Sequence, residues 1–329
     1  MPHLVLVDGH HMLYRAYWAI PRTLKKSDGE LVNTVFGLGA MLFTLLTKEE
    51  PDALAICFDE GDQTFRHQEH EEYKEGRAET PDDFYAQIPR AFELVDAFGF
   101  VRVSDPRYEA DDFLAAYALA GEKAGMRVTI VSGDRDVMQL VSRNIHIAIP
   151  HKGYQQVEYL DPEGVLAKYG VTPAQVPDYK GLHGDPSDNL PGVQGIGPKT
   201  AAKLLQEHGT LEAIYEHLDT VPASVRAKLE RDREQAFFCR HMAMLKDDIP
   251  LPVPLSELVL RDLSVDSLLS FLRAMEFSLL VKRFQGLLIT PYGAAHYRAS
   301  ERDELVQETE ATVQKTTQQQ LSLFPSKTS

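Results

Sequence analysis

Nine carboxylates spread over the first 190 residues carry the strongest chemical signal in this chain: Asp8, Asp59, Glu109, Asp111, Asp112, Asp134, Asp136, Asp185 and Asp188. Taken singly, each has an ordinary explanation. The macrodipole favours acids in the first turn of a helix, and Asp is a common cap and turn residue. Gathered in space, they need a different one. Two carboxylates about 4 Å apart repel by roughly 4 kcal/mol at an effective dielectric of 20. Several such pairs would rival the about 5–15 kcal/mol that holds a whole domain together, so cations must offset the repulsion. An all-oxygen donor set selects hard ions, Mg²⁺ or Mn²⁺, over zinc, and the twelve His and two Cys residues show no zinc-site spacing. Two such ions roughly 4 Å apart can hold the attacking and leaving oxygens of a phosphate displacement, with water as the nucleophile. The expected chemistry is phosphodiester hydrolysis.

The elements that must position these acids follow from the apolar pattern. Short apolar runs end in an acid or a turn: Leu4–Val7 before Asp8, Ala53–Phe58 before Asp59, and Val128–Val131 before Ser132-Gly133-Asp134. Amphipathic stretches such as Val35–Leu46, Ile88–Phe98 and Phe113–Ala124 lie between them. Strand alternating with helix predicts an α/β domain with a largely parallel sheet. Ligands of such sheets sit outside the carboxyl ends of the strands, where Asp8, Asp59 and Asp134 are expected to meet. Glu109-Ala-Asp-Asp112 opens a predicted helix, and Asp134-Arg-Asp136 spans a strand-to-helix turn. The α/β core is expected over 1–160 and a mainly helical region over 161–290. Residues 61–83 are polar, mixed in charge and too long for an ordinary connection. From 295 to 329 the composition predicts a disordered tail.

One turn in the helical region has its own chemistry. Gly192, Gly195 and Gly197 precede Pro198, which suits the first position of a helix. Glycines let the backbone approach a phosphate, which the free N–H groups of a helix start receive, and Lys199 and Lys203 add charge on one helical face. A plain helix connection would account for one or two glycines. Three glycines with paired lysines predict a helix-hairpin-helix over 190–207 that grips duplex DNA through Gly192, Gly195, Gly197, Lys199, Thr200 and Lys203. Such contacts position a substrate without reading its sequence.

With these residues in place, the chain resembles the flap-endonuclease family, in the form of the 5′-nuclease domain of bacterial DNA polymerase I. The resemblance rests on Val7-Asp-Gly-His-His-Met-Leu-Tyr-Arg15, Phe58-Asp59, Phe65-Arg-His67, Tyr73-Lys-Glu-Gly-Arg77, Tyr108-Glu-Ala-Asp-Asp112, Asp134-Arg-Asp136, Gly184-Asp-Pro-Ser-Asp-Asn-Leu-Pro-Gly192 and Gly195-Ile-Gly-Pro-Lys199. These segments stand in the family's order over roughly residues 4–290. It implies a PIN-like (resolvase-like) fold with a helix-hairpin-helix lobe. It also implies that Asp8, Asp59, Glu109 and Asp111 hold one Mg²⁺ and that Asp134, Asp136, Asp185 and Asp188 hold a second, with Asp111 or Asp112 near both and Mn²⁺ able to substitute. Residues 61–85 would form an arch that threads a 5′ end. Lys74 and Arg77 would engage the scissile phosphate and Arg66 a neighbouring one. Tyr14, beside Arg15, would stack on a base at the branch, and Tyr73 on a frayed nucleotide. A K⁺ ion would sit on the carbonyls of the glycine hairpin. The implied activity is a 5′-flap endonuclease and 5′-3′ exonuclease acting on branched DNA and RNA primers in replication and repair. Arg135 stands where the family usually has Lys, and Glu60-Gly61 replaces a stretch that is often more basic. The polymerase and proofreading domains are missing, which reads as a stand-alone nuclease.

The tail ends Gln318-Gln-Gln-Leu-Ser-Leu-Phe324. Gln320, Leu321, Leu323 and Phe324 resemble the peptide that bacterial replication proteins insert into the sliding clamp, which would raise the local concentration of a nuclease on clamped DNA. The remaining composition limits the alternatives. Hydrophobic content of 43 % and charged content of 25 % are those of a globular protein, and no apolar run spans a membrane. Cys57 and Cys239 fit a reduced, cytoplasmic setting, and the chain reads as a monomer. The net charge of −15 argues neither for nor against DNA, because the local field decides phosphate binding. The rivals are a structure-specific DNA-binding protein without activity, which missing carboxylates would have favoured, and an RNA-cleaving nuclease, against which the hairpin and the arch argue.

Overall fold

The computed structural model describes residues 1–61, 64–70, 72–74 and 80–303. Strand β1 (His3–Asp8) is followed by α1 (Gly9–Ala19), α2 (Asn33–Glu49), β2 (Ala53–Cys57), the short helices α3 (Phe65–Glu69) and α4 (Asp82–Tyr85), α5 (Ile88–Phe98), β3 (Val101–Val103), α6 (Ala110–Lys123) and β4 (Arg127–Val131). A 3₁₀ turn at Asp136–Leu140 leads into the hairpin of β5 (Ile145–His151) and β6 (Gln156–Leu160). The helices that follow are α7 (Pro162–Tyr169), α8 (Val176–His183), α9 (Pro198–His208), α10 (Leu211–Glu216), α11 (Ala223–Arg231), α12 (Arg233–Ala243), α13 (Val265–Ala274), α14 (Ser278–Leu288) and α15 (Pro291–His296).

The strands form one sheet in the order β3-β2-β1-β4-β5-β6, parallel except for β6. Every residue of β1 is buried, as a parallel strand covered on both faces requires. Its side chains alternate between two cores. Val5 and Val7 join Leu38, Leu42, Leu94 and Phe98 of α2 and α5, while Leu4 and Leu6 join Phe113, Leu114 and Tyr117 of α6. Full burial of each such side chain is worth about 1.5–3 kcal/mol. The polar start of β1 is satisfied too: the ring of His3 bonds Glu49 O at 2.9 Å and Thr129 Oγ1 at 2.8 Å.

The register places the acids. Val7 pairs with Ile56 on one side and with Val131 on the other, so β1, β2 and β4 end level. Asp8, Asp59 and Asp134 leave these ends together. Because β1 lies between β2 and β4, the order reverses there, and such a point opens a crevice at the carboxyl edge.

Helices α8 to α12 pack against the α6 side and the edge of the sheet. Helices α13 and α14 do not stay with them. Leu268, Leu272, Leu280 and Phe284 enter the core of α2 and α5 on the opposite face, so the helical stretch 161–290 serves two layers. Arg77 and the tail residues Gln320, Leu321, Leu323 and Phe324 lie outside the described residues. Among the described residues, no helix is long and apolar enough to cross a membrane.

Candidate functional site

Each acid at the carboxyl edge is held by the element it begins or ends. Asp8 caps α1, accepting from His11 N at 2.9 Å through Oδ1 and from Ser132 Oγ at 2.9 Å through Oδ2. Asp59 Oδ1 accepts from Ala110 N at 2.8 Å and so fixes the start of α6. That start carries Asp111 toward the other acids. Asp134 Oδ1 accepts from Asp136 N at 2.8 Å, which folds the turn after β4 back on itself.

The charges of these acids act on one another. Burial pushes the Asp8 carboxyl up to about 7, with Asp59 and Asp134 adding repulsion. Burial also drives Asp111 well above the carboxylate range, and Asp134, Asp8 and Asp59 drive it further. Asp59 and Asp134 therefore repel both Asp8 and Asp111, which also repel each other. A second group comprises Asp136, Asp185 and Asp188, each offering an oxygen within 4.8 Å of the others. Asp136 rises to about 7 through burial, with Asp134 and Asp188 adding to it. The oxygens of Asp136, Asp185 and Asp188 are spaced to share a metal ion, and both all-oxygen sets have the donor chemistry of hard divalent cations, whose binding would relieve the repulsion.

Two expected ligands stand differently. Both oxygens of Asp112, which is fully buried, face the Arg66 guanidinium at 2.9 Å, and Oδ1 also takes Lys246 N at 2.9 Å. Asp112 caps α6 in reciprocal bonding with Glu109; its lone pairs face protein donors. Glu109 is shared among Arg66 at 3.0 Å, Lys74 at 2.8 Å and the Tyr73 hydroxyl at 3.3 Å. Arg66 itself is 2 % exposed and extends its remaining donors to Met242 O and Met244 O. In the DNA-free structure it ties α3 to α6 and to the end of α12. Tyr73 is buried likewise, at 5 % exposure.

Lys180 was not singled out in the sequence. It is 4 % exposed, and its ammonium contacts both Asp136 and Asp185. Burial opposes its charge, but Asp136, Asp134 and Asp185 outweigh that and raise its pKa. Its five-residue spacing from Asp185 was the available signal, and in a helix that spacing alone does not say which way a lysine turns.

Residues 3–170 match the 5′-3′ exonuclease N-terminal resolvase-like domain, and residues 171–266 match the 5′-3′ exonuclease C-terminal SAM fold. The chain belongs to the 5′-3′ exonuclease family. It is 43 % identical over 291 residues to thermostable DNA polymerase I of Thermus thermophilus, covering 88 % of this chain and 34 % of that one. To DNA polymerase I of Bacillus subtilis (strain 168) it is 39 % identical over 281 residues, covering 85 % and 32 %. The chain thus spans about a third of the length of these relatives. Among solved structures it resembles the bacteriophage T5 D15 flap endonuclease in a pseudo-enzyme-product complex with DNA and metal ions, with a TM-score of 0.62, 20 % identity and coverage of 87 % and 98 %. The catalytic core of Rad2 in complex with DNA substrate gives a TM-score of 0.56 at 18 % identity, covering 86 % and 92 %. At these identities the likeness concerns the fold: a mostly parallel resolvase-like sheet joined to a SAM-like helical part. Members of the family are metal-dependent nucleases, and the carboxylate groups of this chain have the matching donor chemistry.

Lys74 adopts φ 61°, a left-handed conformation rare for a side-chain-bearing residue. Its N–H donates to Asp188 O at 3.2 Å while its ammonium meets Glu109, which links the second carboxylate group to Glu109. Tyr14 is 43 % exposed, and Arg15 follows it on α1. In the hairpin, Gly192 has φ 61°, and a Cβ there would come within 2.2 Å of Gly184 N, so this glycine serves packing of the chain against itself. Gly195 has φ 84°. Gly197 caps α9 with Pro198 next to it, and Lys199 and Lys203 are exposed on that helix, with Thr200 partly buried between them.

Proposed function

We propose that this chain is a structure-specific 5′-nuclease, a 5′-flap endonuclease and 5′-3′ exonuclease on branched DNA and on RNA primer–DNA junctions in replication and repair. The observation that carries the reading is the convergence of Asp8, Asp59, Asp111 and Asp134 at the level ends of β1, β2 and β4, in a chain of this family. These residues would hold one Mg²⁺, with Mn²⁺ as a substitute, and Asp136, Asp185 and Asp188 would hold a second. When bound, such ions polarise the phosphoryl oxygen and activate water. The protein does the positioning. Lys74 brings positive charge to the edge of both carboxylate groups, where it would meet the scissile phosphate once drawn from Glu109, with Arg77 as its partner.

Glu109 in this reading orders Lys74 and Arg66 and reaches a metal only through water. Thr200, Lys199 and Lys203 with the backbone at Gly192–Gly197 would grip the duplex, a K⁺ ion assisting at the carbonyls, and Tyr14 with Arg15 would hold the branch. The domains would run 1–160 and 161–290, and Gln320, Leu321, Leu323 and Phe324 of the tail would dock on the sliding clamp of a cytoplasmic replication machinery, with the enzyme as a monomer. The test is cleavage of a labelled 5′-flap duplex in Mg²⁺, Mn²⁺ and chelator, resolved to the nucleotide. Metal-dependent cutting at the junction supports the reading. Tight flap binding without cutting under either ion would favour a DNA-binding protein instead.

A further inference from the structure

Three large aromatic side chains are exposed in one cluster beside the carboxylate centre. Trp18 is 59 % exposed, Tyr85 54 % and Tyr14 43 %. Single exposed apolar residues are ordinary, whereas a contiguous group marks a contact surface. This group is linked ring to ring, Tyr85 through the buried Phe84. The rings of Tyr14 and Trp18 lie 6.1 Å apart, Tyr14 lies 6.0 Å from Phe84, and Phe84 lies 5.4 Å from Tyr85. The rings are also held from below. Phe84 is buried, and Tyr17, buried with its hydroxyl on Asp83 at 2.7 Å, meets Trp18 at 5.1 Å and Phe84 at 5.5 Å.

The helix says where the cluster leads. Residues four apart in a helix lie in one row, so His10, Tyr14 and Trp18 share a face of α1. The row starts at the carboxylates: the Asp59 N–H donates to His10 Nδ1 at 3.1 Å. At about 1.5 Å per residue, Trp18 stands roughly 12 Å along α1 from His10, or three to four base steps of about 3.4 Å. A strand with a phosphate at Asp59 can lay its next bases along this row. Aromatic faces accept any base, because every base has a π-face.

We propose that Trp18 and Tyr85 extend Tyr14 into a three-ring platform on which successive bases of the bound DNA stack next to the point of cleavage. The inference rests on the reading of the chain as a nuclease of branched DNA and adds two contact residues to it. It makes the aromatic row, in addition to the glycine hairpin, a source of affinity that is blind to sequence.

Trp18 is the single tryptophan of the chain, so its emission reports the platform alone. Emission is recorded on the full chain titrated with a fluorescein-labelled 5′-flap duplex, with anisotropy of the label read in the same samples. The expected result is quenching of Trp18 that follows the anisotropy with the same midpoint. Trp18→Ala should raise Kd for the flap by roughly tenfold, and Trp18→Phe should recover most of it. Because Trp18 is exposed, the melting temperature should not change. Emission that stays constant while anisotropy saturates, or an unchanged Kd in Trp18→Ala, overturns the platform and leaves the nuclease reading intact. A flap that neither raises anisotropy nor is cut overturns both.

Discussion

Arg66 holds Asp112 by both ends of its guanidinium, Nη1 to Oδ2 and Nη2 to Oδ1, each at 2.9 Å, with both side chains withdrawn from solvent. The pair binds α3 to the helix that presents Asp111. Removing one partner of a buried pair strands the other charge, at a cost of about 3–5 kcal/mol. Arg66→Ala should therefore lower the melting temperature strongly in the absence of DNA. Arg66→Lys should rescue little, because an ammonium cannot reproduce the fork. An Arg66→Ala protein with the parent's melting temperature and weakened flap binding would instead make Arg66 a phosphate contact.

Lys180 contacts Asp136 and Asp185 within a largely buried group. In Lys180→Met the two carboxylates lose their cationic partner, and stability measured in chelator should fall by a few kcal/mol. Mg²⁺ or Mn²⁺ should restore more stability to the variant than it adds to the parent. Thermal melts with and without ion compare the two, and equal gains would count against a shared carboxylate set.

Asp111 is repelled by Asp8, Asp59 and Asp134. Asp111→Asn should abolish flap cleavage while leaving flap binding measurable by anisotropy. Parent-like turnover in this variant would remove Asp111 from the chemistry.

The carboxyls of Asp8 and Asp136 stand at about 7 in the folded chain against an ordinary 3.8. Their folded pKa is raised, so between these values the native state binds more protons than the unfolded one. Their contribution to stability is complete below about pH 4 and is lost as the pH rises toward 7. Over that same rise the deprotonated oxygens become available to a cation. The gain in melting temperature on adding Mg²⁺, measured against chelator at each pH, should grow from about pH 5 to about pH 7.5. A gain that shrinks over that range would contradict the assignment.

The tail carries Gln320, Leu321, Leu323 and Phe324. Deleting residues 318–329 should remove binding to the sliding clamp in a pull-down with purified clamp and leave clamp-free cleavage unaffected. Undiminished clamp binding would rule the peptide out.

The sequence by itself determined where the acids of the sheet would stand. Asp8, Asp59 and Asp134 each close an apolar run, and parallel strands buried on both faces must be apolar until they reach the edge. That the edge is shared follows from parallel register, which the alternation of strand and helix already implied. The helix start at Pro198 and the cap at Glu109 were legible for the same reason, because caps and turns are local chemistry. Tertiary structure decided what the charged side chains face. Arg66 and Asp112 are 46 residues apart, and Lys180 stands 44 residues beyond Asp136. An arginine aimed at a phosphate and one aimed at a buried carboxylate have the same local sequence, as do a carboxylate that awaits a metal and one saturated by protein donors. Trp18 and Tyr85 show the same limit for apolar groups: their spacing is plain in the chain, but exposure depends on whether another element comes to cover them. Periodicity and capping are short-range and read directly from neighbouring residues. The partner of a buried charge, or the cover of an aromatic ring, is chosen by packing between distant segments.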